Sequence, residues 1–367
     1  MGKNDSIVPY TLDDYFQSTP LGSIERAVGN NLFGINHRQM PTMVPMNKDS
    51  YGLTFFTRPQ LNLQSDNVRN YRLFYPLLNE SPLSIQRYVR CVLDPRLMYS
   101  GGYWSDAQQS SIISPFVDPN TPFISALTNN LLSISGWPDV VANTFTSRAG
   151  VYREEYSMID DTVKNFSAFD LTATFRNTRG DPIIYMMYVW LHYMAAVFEG
   201  TLVPYPDFIV ENEMDYNTRI YRLVLDSEKR YVKKIAAVGA SFPMTVPMGE
   251  FFDYSHEKPF NIQTQEFSVR FKCNGVIYQD DILIKNFNES VEIFNPYMRG
   301  DTRVQYLIKV HPTLLPYFNN RGYPRINPSN YELEWWVPTE LWNSRTNALL
   351  QNRAIDPVAQ DNNESGD

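Results

Sequence analysis

The chain has 367 residues, of which 43% are hydrophobic, 20% charged and 14% aromatic, and its net charge is −8. That length and apolar share supply a sizeable core and exclude a wholly disordered chain. The 2 cysteines, Cys91 and Cys273, exclude a disulfide scaffold, the 4 scattered histidines (His37, His192, His256, His311) lack metal-ligand spacing, and the acidic balance argues against general nucleic-acid affinity.

The start, MGKNDSIVPY, has no apolar run of the secretory kind. Gly2 and Ser6 match the myristoylation pattern, which is short enough to arise by chance. Residues 1–80 read as irregular, with turn residues at Gly29-Asn30-Asn31 and at Pro41, Pro45 and Pro59. Apolar patches such as Leu53-Thr54-Phe55-Phe56 suggest isolated strands. A loop-rich arm of this kind has to lie on the rest of the chain or on a neighbouring subunit.

A first helix is expected with Ser81 as N-cap and Pro82 at its first position. Ile85, Val89, Val92 and Leu93 form its apolar stripe, Asp94-Pro95 stops it, and Arg87 and Arg90 fall on a solvated face. A second helix is expected from Thr121 and Pro122, with Ile124, Leu127 and Leu131 buried and Gly136 just past its end. Gly136 to Asp139 then turns the chain.

From about residue 150 the period changes. Leu171 to Arg176 alternates apolar and polar, as a strand with one buried face does. Asn177 to Gly180 turns, Asp181 caps a long helix over 182–199, and Pro182 starts it. Met187, Trp190, Leu191, Met194 and Phe198 are its expected buried face. As a membrane span, Pro182 to Phe198 would reach only about 25 Å against a hydrocarbon core of about 30 Å. Its tyrosines also sit inside it rather than at its ends, so a buried helix without membrane insertion is favoured. Pro204-Tyr205-Pro206 reads as an extended linker.

A hairpin follows, with Tyr221, Leu223 and Leu225 on one arm, a turn at Asp226 to Lys229, and Tyr231 to Ile235 returning. Glu266 to Cys273 is the clearest strand, with Phe267, Val269, Phe271 and Cys273 on one face. Tyr331 to Trp335 also alternates, Pro338 marks an edge or an end, and Thr339 caps a last helix through Leu349 and Leu350. The tail from Asp356 is acidic and polar.

No nucleophile elbow, phosphate loop or dinucleotide fingerprint appears. Three adjacent carboxylate pairs remain as catalytic candidates: Glu154 and Glu155, Asp160 and Asp161, and Asp280 and Asp281. Neighbours on a strand point to opposite faces, so solvated turns are the better reading. The aromatic clusters Tyr99 to Trp104 and Trp335-Trp336-Val337-Pro338 admit a sugar platform, but filling of core and subunit contacts is favoured. No catalytic, cofactor-binding or metal residue is assigned.

One order of elements goes further. LTATFRNTRGD leads into the helix PIIYMMYVWLHYM, followed by PYP at 204–206, DYNTRIYRLVLD at 215–226, GASFP at 239–243 and the strand EFSVRFKCNG. This order, over residues 165–273, resembles the tube proteins of contractile phage tails and the related tubes of type VI secretion. The resemblance implies a mainly β (α+β) fold, a tail-tube-like β-sandwich or barrel with one packed helix. Phe175, Leu223, Leu225, Val269 and Phe271 would lie inside it. It implies a homo-oligomeric ring of six subunits, stacked rings, a channel for passing DNA without sequence-specific binding, and other tail proteins (tube, sheath, baseplate or neck) as partners. The protein would then reside in the virion after assembly in the bacterial host cytoplasm, with no enzyme activity.

Tube subunits of that family are shorter, so large added arms fit a baseplate or neck ring as well as the tube. The expected organisation is an arm with short helices over 1–150, the barrel domain over 151–275, a β-rich extension with a terminal helix over 276–352, and a disordered tail over 353–367. A carbohydrate-binding or glycan-degrading tail component is the alternative, and a host-cell enzyme comes third.

Overall fold

A computed structural model of the chain describes residues 51–98, 114–160, 167–252, 256–257 and 265–346. The readings for residues 1–50, the cluster Tyr99 to Trp104, Asp161, the helix end at Leu349 and Leu350, and the tail lie outside the described residues. The described chain belongs to one compact unit that starts at Tyr51.

Its strands are β1 (Tyr51–Phe56), β2 (Leu131–Ser135), β3 (Thr144–Thr146), β4 (Ser157–Ile159), β5 (Ala168–Arg176), β6 (Ile220–Leu225), β7 (Val232–Thr245), β8 (Glu266–Tyr278), β9 (Leu307–Val310), β10 (Tyr323–Ile326) and β11 (Leu333–Pro338). Its helices include α1 (Ile85–Leu93), α2 (Ser125–Asn130), α3 (Pro182–Phe198), α4 (Pro206–Glu211) and α5 (Asp281–Phe294). Six strands form one curled antiparallel sheet in the order β1-β6-β7-β8-β5-β2, a half-barrel. Strands β10-β11-β9 form a second sheet, and β3-β4 stand as a hairpin.

The sequence pattern explains the large sheet. In β8, Phe267, Val269, Phe271 and Cys273 are buried while Glu266, Ser268 and Arg270 face out. Strand β5 pairs with it from Ala168↔Asn274 to Arg176↔Glu266, which places Leu171, Ala173 and Phe175 on the same face. The expected hairpin is β6-β7, closing at Leu225↔Val232. Asp226 holds its turn by accepting the backbone N–H of Arg230 at 2.8 Å. Register shifts at Val224/Leu225, Pro243/Thr245 and Leu131/Ser133 add local twist to the sheet. A single curled sheet therefore supplies what two closing sheets were expected to supply.

Among the described residues the edge strands are β1 and β2. The chain crosses from one to the other by a short path. Phe123 bridges to Thr57, the Ile124 N–H bonds the Phe56 carbonyl at 2.9 Å, α2 follows, and β2 begins at Leu131. This corrects the second expected helix. It has six residues, Ile124 takes the cap position, and Leu131 lies in a strand. Gly136, at φ +99°, therefore follows a strand and not a helix.

Two cores lie against the sheet. Under α3, Phe56, Phe175, Phe267 and Phe271 pack with Ile183, Met186, Met187, Trp190 and Tyr193. Under α5, Leu283, Ile284, Phe287 and Val291 pack on Phe55, Tyr221, Leu223 and Leu225, joined by Ile326, Leu333 and Trp336 of the small sheet. The five residues expected to share one core are thus divided: Phe175, Val269 and Phe271 under α3, Leu223 and Leu225 under α5.

Several local expectations change. Ser84, not Ser81, caps α1: its Oγ accepts the Arg87 N–H. Pro82 therefore precedes the helix, and the Ser81 carbonyl accepts the Ser84 N–H instead. Arg90 is buried rather than solvated, and its Nε–H donates to the Leu63 carbonyl at 2.8 Å. In α3, Phe198 is 94% exposed, while Ile183, Ile184, Met186, Val189, Tyr193 and Ala196 complete the buried face. Asp181 stands at the cap position of α3 with φ 51°, where its carbonyl accepts the Tyr185 N–H while its side chain accepts from the Asn177 amide instead of capping the helix. Pro206 opens α4, so the proline linker is a helix entry. The helix α5 has no counterpart among the expected elements.

Candidate functional site

The paired carboxylates do not converge. Asp280 is the N-cap of α5 and accepts the Ile282 N–H at 3.0 Å. Asp281 accepts the Tyr331 hydroxyl at 3.1 Å. Glu154 accepts the Tyr152 N–H at 2.8 Å in an exposed turn, and Glu155 and Asp160 are exposed. Trp336 is 9% exposed and donates its Nε1–H to Glu334, so it does not present a stacking face. Among the described residues no group of three or more His, Cys, Asp and Glu side chains comes together, and no helix is long and apolar enough to cross a membrane.

The structure instead gathers a buried polar bracket that the sequence pattern did not single out. Asp94, at the end of α1, is fully buried and accepts the Leu63 N–H and the Tyr205 hydroxyl, each at 2.9 Å. Asp215, before β6, accepts the Tyr193 hydroxyl from α3 at 2.5 Å, and that same hydroxyl accepts the Asn62 N–H at 3.0 Å. Burial pushes both carboxyls up to about 6, and burial beside a carboxylate raises both tyrosines.

Arg58 completes the bracket. Its guanidinium donates to the carbonyls of Cys91 at 2.5 Å, Val92 at 2.9 Å and Thr121 at 3.3 Å, capping the C-terminal end of α1 from within. Burial pulls it down to about 10. These residues come from segments far apart in the chain, so no spacing could announce them. Every Asp94, Asp215 and Arg58 contact named here is internal, and the bracket ties α1, α3 and the segment entering β6 to the end of β1.

Exposed apolar side chains include two stretches of the described residues. The first is the β3-β4 arm. Its root is pinned where the Tyr278 hydroxyl donates to the Pro138 carbonyl at 2.6 Å and Trp137 packs at 6.4 Å from the same ring. Beyond the root the hairpin pairs Thr144↔Ile159, Phe145↔Met158 and Thr146↔Ser157. From Asp139 to Asp160 every residue except Ser147 is exposed, Val151 at 94% and Tyr152 at 90%. The second lies at the end of α3 and along α4, where Phe198, Val203, Ile209, Val210 and Met214 are exposed among Glu199, Glu211 and Glu213.

No curated protein sequence matches the chain. Solved structures that it resembles include the anti-feeding prophage cap (the tube terminating cap), 16% identical, covering 41% of this chain and 79% of that one with a TM-score of 0.26. A sheath/tube terminator of the extracellular contractile injection system PVC, in the extended state, is 12% identical and covers 41% of this chain and 85% of that one, TM-score 0.24. A chain of the PVC sheath-tube complex in the extended state is 12% identical and covers 43% and 82%, TM-score 0.27. Over residues 10–353 the chain matches the model of the family described as "Putative phage tail tube protein". With nearly its whole length matched, the chain belongs to that phage tail tube protein family.

Proposed function

We propose that the chain is a non-catalytic structural part of a phage tail, either a tube subunit or a tube-proximal ring of the baseplate or neck. In this reading it closes with copies of itself into a ring, six-membered as the sequence resemblance implies. Rings stack around a channel for DNA, in contact with other tail proteins, in a virion assembled in the host cytoplasm.

The observation that carries the reading is the open six-stranded sheet, whose edge strands among the described residues are β1 and β2. The Phe56 carbonyl at the end of β1 is taken by the Ile124 N–H, and ring closure would pair the backbone groups that remain along both edges. No comparable observation supports glycan binding, because the tryptophan pair of β11 serves the core and an ion network.

Size-exclusion chromatography with light scattering, followed by electron microscopy of the full chain, tests the proposal. Cyclic rings with a central opening are expected. Monomers at every concentration reached overturn it.

A further inference from the structure

We infer that α4 is a strap, held against the body by Arg96 and able to open between two fixed anchors while the sheet stays folded. Such a strap works within one copy of the chain and does not depend on ring closure.

The helix lacks what holds the other helices down. In proteins most helical stability comes from an apolar face packed on the body. The α3 and α5 helices have such a face, but no residue from Pro206 to Met214 is buried. Six residues of helix do not persist alone in water. The two ends, by contrast, are fixed. Tyr205, at the cap position of α4, is buried and donates its hydroxyl to Asp94 at 2.9 Å. Asp215 is buried, its carboxylate accepts the Tyr193 hydroxyl, and its carbonyl accepts the Gln60 N–H at 2.9 Å. The stretch 206–214 therefore runs between two points that the buried bracket holds still. Asn212, at φ 54°, stops the helix, and its N–H and that of Glu213 both return to the Phe208 carbonyl.

Between those points the hold is polar, and among the described residues it runs through Arg96. The Arg96 guanidinium forks onto the Asp207 carboxylate at 2.9 and 2.5 Å. It also lies over the rings of Tyr205 at 4.3 Å and Phe208 at 5.3 Å. Gln60 accepts from the same guanidinium at 3.0 Å, which keeps the cation on the body. The Arg96 side chain is 12% exposed and that of Asp207 47%, so the carboxylate that would leave the pair already meets water. The hydrogen bond from Arg96 is the main reason that the Asp207 carboxyl lies below its ordinary range. An ion pair with one partner half in water contributes little and is screened by salt. Opening is then a local transition and not a global one. Ile209, Val210 and Met214 are exposed and travel with the strap, so opening moves an apolar patch without disturbing either core.

Hydrogen exchange read by mass spectrometry tests this on the full-length chain, diluted until light scattering shows monomers. The amides of Asn212 and Glu213, bonded within the strap, should exchange through an opening that urea below the unfolding transition does not quicken. The β8 amides should exchange only with global unfolding. Asp207→Asn, at an exposed position, should speed exchange over 206–214 about two- to fivefold, the range of one exposed ion pair. It should leave β8 exchange and the urea midpoint unchanged. Raising the ionic strength from about 0.05 M to about 0.5 M should speed the same stretch in the unaltered chain and change it little in the variant. Exchange over 206–214 as slow as in β8 overturns the strap. Fast exchange that responds to neither Asp207→Asn nor salt overturns Arg96 as what holds it.

Discussion

The buried face of the helix α3 and the exposed face of the β3-β4 arm set apolar side chains in opposite circumstances. In α3, Ile183, Ile184, Met186, Met187, Val189, Trp190, Tyr193 and Ala196 are buried. In the arm, Val140, Val141, Phe145, Val151, Tyr152, Tyr156, Met158 and Ile159 face water. Apolar content alone therefore does not mark a core. In α3 the hydrophobic free energy has been spent on folding, whereas in the arm it remains available for association. The two regions should part completely when stability and assembly are measured separately.

The largest effect is expected in the α3 core. Trp190 is fully buried, and its Nε1–H donates to the Tyr216 carbonyl at 2.9 Å. Trp190→Ala leaves a cavity and an unpaired carbonyl, and should cost about 3–5 kcal/mol in urea unfolding. A loss below about 1 kcal/mol would mean that α3 is not the centre of the fold. Next comes Arg58→Met, which keeps the apolar stem and strips the carbonyls of Cys91, Val92 and Thr121 of their donor. It should cost about 2–4 kcal/mol, and amide exchange at the end of α1 should quicken before the rest of the sheet.

How much of this was legible depends on how locally each element is specified. The helix α3 announces itself through Pro182 at its start and Gly200 after its end, and β8 through strict alternation. The β6-β7 hairpin is fixed by the Asp226 turn. By contrast, α5 was hidden because its cap, Asp280, and its first residue, Asp281, form a pair that also resembles a catalytic dyad. The spacing of Leu283, Ile284, Phe287, Val291 and Phe294 was the available signal. The bracket of Arg58, Asp94, Tyr193, Tyr205 and Asp215 had no signal, since tertiary folding alone brings those residues together. Strands β3 and β4 have three residues each, too few for a period to be read.

A smaller effect separates two sets of carboxylates. In the bracket, Asp94 and Asp215 titrate at about 6 instead of 3.8, because burial disfavours their charged form. Their contribution to stability is full below pH 3.8 and falls as pH rises through about 6. In the small sheet, Glu332 is held below 4.5 chiefly by its hydrogen bond to Lys309. Burial works against ionisation of Glu334, yet its bonds to Lys309, Trp336 and Arg325 still hold it below 4.5. Their contribution is present above 4.5 and is lost on acidification. Urea midpoints should therefore include a bracket term that rises from pH 7 to pH 5. Asp94→Asn should flatten that part of the profile, and Glu334→Gln should flatten the acid limb below it. If Asp94→Asn leaves the profile parallel to that of the unaltered chain, the bracket carboxylate is not titrating in this range.

The smallest expected change in stability is the most informative about the arm. Met158 pairs across from Phe145 and is 63% exposed, so Met158→Ser removes one cross-strand apolar contact and little buried area. Such a pair is worth roughly 0.2–1 kcal/mol within the hairpin, and the hairpin's own opening does not unfold the sheet. Global unfolding should stay within about 0.5 kcal/mol of the unaltered chain. The test is the contrast with Trp190→Ala in the same buffer. If Met158→Ser costs several kcal/mol in isolated monomers, the arm is already packed against its own chain, and its apolar side chains are core after all. If the cost appears only where the chain is associated with a partner, the arm's apolar surface serves binding, whereas that of α3 serves folding.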